Sequence, residues 1–154
     1  MRILLAAACF VLAGMVLGIS FLETPVKFTA PSVTLAIGLD VGRHVFGMLN
    51  KVEIGLALLV CGLMFFGRAT RAVWLPLGAV VVIVALQSVW LLPFLDARVG
   101  LILNGQTPPP APHHIIYIVL ELLKLVGLIA AGTACLSSLK NIALVVTPRS
   151  TLNV

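Results

Sequence analysis

"PHHIIYIVLELLKLVGLIAAG", residues 112–132, is apolar enough to lie in lipid, yet it places Glu121 and Lys124 well inside its hydrophobic run. A bilayer-spanning helix needs about 20 mostly apolar residues, and this stretch supplies them. Each isolated charge near the centre of such a helix is unfavourable by about 2.5–3.5 kcal/mol. Roughly a dozen Leu, Ile and Val side chains, at about −0.3 to −0.6 kcal/mol each, offset that insertion cost. They do not make the charges stable against hydrocarbon, so the polar face is expected to meet protein or trapped water. His114, Tyr117, Glu121 and Lys124 follow the three-and-four spacing of a helix seam, which aligns them on one stripe. Lys124 stands about 15 Å beyond His114 at a rise of 1.5 Å per residue. Glu121 and Lys124 are close enough on that helix to pair.

The rest of the chain shares this character. Of its 154 residues, 61% are hydrophobic and 10% charged, against about 25% charged in a soluble domain. A small soluble core cannot hide so much apolar surface. Four apolar segments, at about 3–22, 52–66, 72–95 and 115–139, are predicted as membrane-spanning helices, because in lipid only helices and closed barrels satisfy every backbone group. Continuous apolarity without period-two alternation excludes a barrel. The expected fold is therefore all-α, a four-transmembrane-helix bundle forming one membrane domain over 1–154. The first segment has the look of a signal peptide but no convincing cleavage site, so a retained helix is expected.

The breaks between segments have physical signatures. Pro25 and Pro31 disfavour continuation of the first helix. Arg68 and Arg71 separate the second from the third. "LDARVGLILNGQTPPPAP", residues 95–112, carries an Asn-Gly turn and three consecutive prolines and reads as a loop. Pro112 sits where a helix start tolerates it. Trp74 and Trp90, toward opposite ends of the third segment, fit interfacial anchors. Between the first two spans, at about 32–50, Asp40, Arg43 and His44 share one stripe with Gly47 while apolar residues cover the rest. This predicts an additional amphipathic helix, lying at the interface, dipping into the bundle or running directly into the second span.

The net charge of +5 comes without an aromatic-interleaved basic patch or a basic helix, so nucleic acid is not an expected partner. With four spans, Arg2, Arg68, Arg71, Lys140 and Arg149 share one side, and Lys27, Arg43, Lys51 and Arg98 the other. Lys27, Arg43 and Lys51 belong to or border the amphipathic segment, and discounting them places both termini in the cytoplasm. Cys9, Cys61 and Cys135 fall in apolar runs and are expected as small buried hydrophobes. No zinc spacing or other metal set is expected. No phosphate loop, nucleophile elbow or metalloprotease motif is present, and an enzyme is not expected.

Every acid and every histidine falls in one half of the expected bundle: Glu23, Asp40, Glu53, Asp96 and Glu121, with His44, His113 and His114. A polar pocket or ion path is therefore expected to open away from the termini. Glu121 and Lys124 form its floor, His114 and Tyr117 its wall, and Asp96 and Arg98 its mouth. Asp40, Arg43 and His44 make a secondary polar face. The function this suggests is binding or permeation of an ion or small solute. The alternative is a non-catalytic accessory subunit of a larger membrane complex, in which the stripe fixes helix register. Expected partners are the bilayer and a second copy or other membrane subunits, since four helices barely enclose a path. Gln87 and Ser88 are expected to hydrogen-bond a neighbouring helix. Gly14-x-x-x-Gly18 and Gly127-x-x-x-Ala131 allow close helix contact within the bundle.

One region is distinctive. "LPFLDARVGLILNGQTPPPAPHHIIYIVLELLKLVGL", residues 92–128, with Pro93, Asp96, Arg98, Gly105, His114, Tyr117, Glu121 and Lys124, resembles the equivalent region of a group of small bacterial four-helix membrane proteins. That group is distantly similar to a human transmembrane protein associated with platinum-drug resistance. "FLETPVKF" (21–28) and "GRHVFGMLNKVE" (42–53) fit the same layout less specifically. The resemblance implies a four-span fold with an extra amphipathic segment in a bacterial inner membrane. It implies no mechanism.

Overall fold

The computed structural model describes residues 2–66 and 70–146. It is all-helical, with no strand among the described residues. Four helices account for the fold: α1 (Arg2–Lys27), α2 (Leu35–Phe66), α3 (Arg71–Leu103) and α4 (His113–Val146). All four are long and apolar enough to cross a membrane. Arg68 and Arg149, two of the cations used to orient the chain, lie outside the described residues, and so does the side chain of Lys140.

Contacts between helices fix the topology. Phe94 stacks on His113, Gln87 bonds to Lys124, and Val80 approaches Gly127, so α3 and α4 run antiparallel. Ser20 with Glu121 and Phe10 with Gly132 say the same of α1 and α4. Asn50 with Ser88 and Arg43 with Asp96 say it of α2 and α3. The result is an up-down-up-down bundle. α4 is the central element, packed most closely against α1 and α3, while α2 closes the side. Glycine permits the closest approaches. A Cβ on Gly127 would lie 2.9 Å from Val80 Cγ2 and 3.4 Å from the Pro76 carbonyl, and one on Gly132 would lie 2.9 Å from the Phe10 ring.

Several boundaries depart from the sequence expectation. α1 runs through Pro25 to Lys27, and α3 runs through Pro93 to Leu103. In each case the turns just before the proline are π-helical, over Leu17–Glu23 and Gln87–Leu91. There the ladder slips by one residue: Thr24 N–H donates to Ile19 O, and Leu92 N–H to Gln87 O. A proline lacks the donor and crowds the carbonyl four residues back. A π turn widens the helix at that point, so the chain continues instead of ending. The segment expected as a loop from 95 is thus helical up to Asn104-Gly105. There Gly105, at φ +74°, takes the left-handed position that ends the helix. Gln106 N–H returns to Leu101 O and Gly105 N–H to Ile102 O, a Schellman closure.

The amphipathic segment expected at about 32–50 takes one of its expected courses and runs directly into the second span. Leu35–Phe66 is one uninterrupted 32-residue helix. No proline lies within it, and nothing in the backbone interrupts it after Asn50. Two smaller expectations change as well. Cys9 and Cys135 are buried, but Cys61 is exposed. Gly127-x-x-x-Ala131 faces α3, whereas Gly14 and Gly18 have open space in front of them. The first small-residue motif therefore serves no contact inside this bundle.

Candidate functional site

The buried stripe of α4 runs Tyr117, Glu121, Lys124, Leu128, Ala131, Cys135. Its first half is polar, and the other three helices answer it with polar side chains. Lys124, with none of its surface exposed, donates to Glu53 Oε1 at 2.5 Å, Glu121 Oε1 at 2.6 Å and Gln87 Oε1 at 2.9 Å. An ammonium has three protons, and here each has an acceptor. Gln87 turns its amide nitrogen to Glu121 Oε1 at 2.8 Å, closing a three-membered ring with Lys124. That ring fixes which end of the Gln87 amide faces which partner. Ser20 donates to the other Glu121 oxygen at 2.7 Å.

The helices position these groups for local reasons. Ser20 and Gln87 both belong to the π segments, whose slipped register turns them toward α4. Gln87 stands at the midpoint of α3, and Asn50 and Glu53 occupy successive turns on the inner face of α2. One layer beside the ion pairs, Asn50 Nδ2 donates to Ser88 Oγ at 2.7 Å, and Ser88 in turn donates to Val84 O at 2.6 Å. Tyr117 is buried one turn before Glu121, edge-on to Phe46 with ring centroids 5.4 Å apart. Glu53 also borders a cavity of about 20 Å³, otherwise lined by apolar side chains of all four helices. That is room for about one water molecule.

The charge count decides what this cluster can do. Glu53, Glu121, Gln87 and Lys124 are each at most 1% exposed. Two carboxyl groups face one ammonium, so full ionisation leaves an unbalanced negative charge buried away from bulk water. Burying an unpaired charge is very unfavourable, and a single proton shared by the cluster removes it. The two carboxyl groups are not equivalent. Glu121 accepts from Lys124, Gln87 and Ser20, whereas Glu53 lies between Lys124 and the apolar cavity.

Of the six residues expected along the path, the structure brings together Tyr117, Glu121 and Lys124. His114 is exposed; its neighbour His113 turns inward instead, stacked on Phe94 at 3.7 Å with its ring Nδ1 buried and unpaired. Asp96 is exposed and pairs weakly with Arg43 at 3.9 Å. Arg98 bonds to the Pro109 carbonyl and ties the proline loop to α3. Neither reaches the cluster, so the expected mouth is a separate polar end. There Arg43 also meets Asp40 at 2.8 Å, His44 Nδ1 meets the Asp40 carbonyl at 2.8 Å, and Lys27 pairs with Glu23 at 3.4 Å. The expected path left out Ser20 and Asn50, and Glu53 was counted among the acids of that half without a place on it. A signal existed for the last two: Asn50 and Glu53 repeat the three-residue spacing of Glu121 and Lys124 next to an apolar run. Compared with known families, curated proteins and solved structures, the chain matches none.

Proposed function

We propose that this chain is a bacterial inner-membrane protein, with both termini cytoplasmic, that binds an ion within its helix bundle, and that the ion is a proton. Four long apolar helices support the membrane reading. The excess of carboxyl over ammonium in a buried cluster supports the proton and is the observation that carries the proposal. Lys124 already fills the position a metal cation would need, and the cavity beside Glu53 has room for about one water molecule. Glu53 is the group that carries the proton, because Glu121 has the fuller set of donors. Orientation rests on Arg2 and Arg71 at the terminal end, while Lys27 and Arg43 at the other end are paired with acids.

Infrared difference spectroscopy of the reconstituted protein tests this directly. A protonated-carboxyl band is expected in the wild type and absent in Glu53→Gln. Proteoliposomes under an imposed pH gradient should show proton movement that falls about 100-fold or more in that variant, the scale of losing one proton-transfer group. No carboxyl band and no flux would leave an accessory subunit. One observation favours that second reading: every proton of Lys124 is already matched within the chain.

A further inference from the structure

The two carboxyl groups of the cluster are bonded by Lys124, Gln87 and Ser20. Lys124 and Gln87 have none of their surface exposed, whereas Ser20 is half-buried. Ser20 is therefore where the cluster meets its surroundings. Its hydroxyl gives its one proton to Glu121 Oε2 at 2.7 Å, and no group among the described residues donates to its oxygen. A hydroxyl has two lone pairs, so the Ser20 oxygen is free to accept from a water molecule. Ser88 is placed differently. It already accepts from Asn50, it gives its proton to the Val84 carbonyl, and it bonds neither carboxyl group.

From Ser20 a polar seam follows α1 to the polar end. Thr24 stands four residues on, close to one turn of the widened π segment. Thr24 Oγ1 lies 3.5 Å from Glu23 Oε2, and Glu23 pairs with Lys27 at 3.4 Å. All four residues are half-buried, while Leu22, Pro25 and Val26 between them are exposed. Between Arg2 and Ser20, α1 carries no charged side chain. Lys27 lies 5.9 Å from the Phe46 ring centroid on α2, and glycine at position 42 makes room for it: a Cβ there would stand 3.0 Å from Lys27 Nζ. Phe46 packs edge-on to Tyr117, one turn before Glu121. The seam thus belongs to the junction of α1, α2 and α4 above Glu121. Glu23 is its accessible member, with a side chain 34% exposed against 12% for Lys27. On the other side of Lys124 the stripe is Leu128, Ala131 and Cys135, packed on apolar side chains of α1 and α3, and it offers no such relay.

We infer that the cluster exchanges its proton with the polar end of the bundle through this seam, with Glu23 as the collecting carboxylate and Ser20 as the last relay. The inference rests on the proton reading of the cluster. Water spans the turn between Glu23 and Ser20, as it does between polar groups too far apart to bond directly. That water gives a proton to the Ser20 oxygen and recovers one from Glu23. The original Ser20 O–H breaks as an O–H forms on Glu121 Oε2. Lys124 gives one proton to Glu53 Oε1, and a half-turn of the Glu121 carboxyl group returns a proton to Lys124. Glu23 has lost one proton and Glu53 has gained it, and every group between them ends as it began.

The test is hydrogen–deuterium exchange of the protonated-carboxyl band, timed by infrared spectroscopy after the reconstituted full chain is moved into deuterated buffer. Ser20→Ala should slow the exchange about 100-fold or more, the scale of losing one proton-transfer group. Ser20→Thr keeps the hydroxyl and should restore the rate, which a purely structural role for Ser20 does not require. Glu23→Gln should slow exchange as Ser20→Ala does and leave the band itself in place, because exposed ion pairs contribute little to stability. Asp96→Asn, an acid of the same end off the seam, should exchange at the wild-type rate. Wild-type exchange in either Ser20→Ala or Glu23→Gln overturns the inference and leaves the proton reading standing. Equal slowing by Asp96→Asn makes the charge of the whole end responsible and overturns it too. Absence of the band from the wild type overturns the proton reading, and this inference with it.

Discussion

Along α4 the buried stripe changes character between Lys124 and Leu128, and the two halves are held in different ways. Toward the termini, Leu128, Ala131 and Cys135 meet Leu5, Cys9 and Leu12 of α1 and Val73, Leu77 and Val80 of α3. That half depends on shape: small residues let backbones approach. Toward the polar end, Tyr117, Glu121 and Lys124 meet Ser20, Glu53 and Gln87. That half depends on direction and charge. The same helix therefore carries a tolerant joint and an exacting one, and α2 joins both, through Val60, Leu56 and Leu63 in the first and Glu53 and Asn50 in the second.

Lys124→Met should expose the difference most strongly. It leaves two buried carboxyl groups without their base, and breaking a buried pair from one side is destabilising by about 3–5 kcal/mol. Denaturation in mild detergent measures it. Replacing Glu53 and Glu121 by Gln in the same variant should recover much of the loss, because the uncompensated charge disappears. A loss that persists would mean that packing, not charge, governs this half.

In the shape-governed half, Gly127→Ala should be destabilising by about 1–3 kcal/mol, the range for overpacking, because Val80 and the Pro76 carbonyl stand in the way. Gly132→Ala should be milder, since the Phe10 ring it meets is 39% exposed and free to swing aside. Equal effects would show that the bundle loosens locally at no cost. The smallest change is Ser20→Ala, which removes one of three donors to Glu121 and should be destabilising by about 1 kcal/mol. A larger effect would place Ser20 among the groups the cluster cannot lose.

Much of the fold was legible in local pattern. Four apolar runs, their helical nature and the pairing of Glu121 with Lys124 follow from hydropathy and spacing alone. Pro93 fell inside the third predicted span, while Pro25 was read as ending a helix because a missing donor is visible in sequence. The π turn that accommodates each proline is not, since it consists of a one-residue slip in hydrogen bonding. The three-and-four seam pointed to His114. The structure turns His113 inward instead, because its ring stacks on Phe94, a residue of another helix. Asp96 and Arg98 lie in the half of the chain where they were expected, yet their partners are Arg43 and the Pro109 carbonyl rather than the cluster.

The sequence by itself determined that this chain has too much apolar surface for water, that it forms four long helices, and that one of them buries an acid and a base on a single face. Each of these depends on neighbours a few residues apart. Only the tertiary structure decided that Lys124 also holds Glu53, 71 positions away, and Gln87, 37 positions away. The physical reason is that helix periodicity sets which residues share a face, whereas the register between helices sets which faces meet. That register is settled by glycine contacts and π slips distributed over the whole bundle.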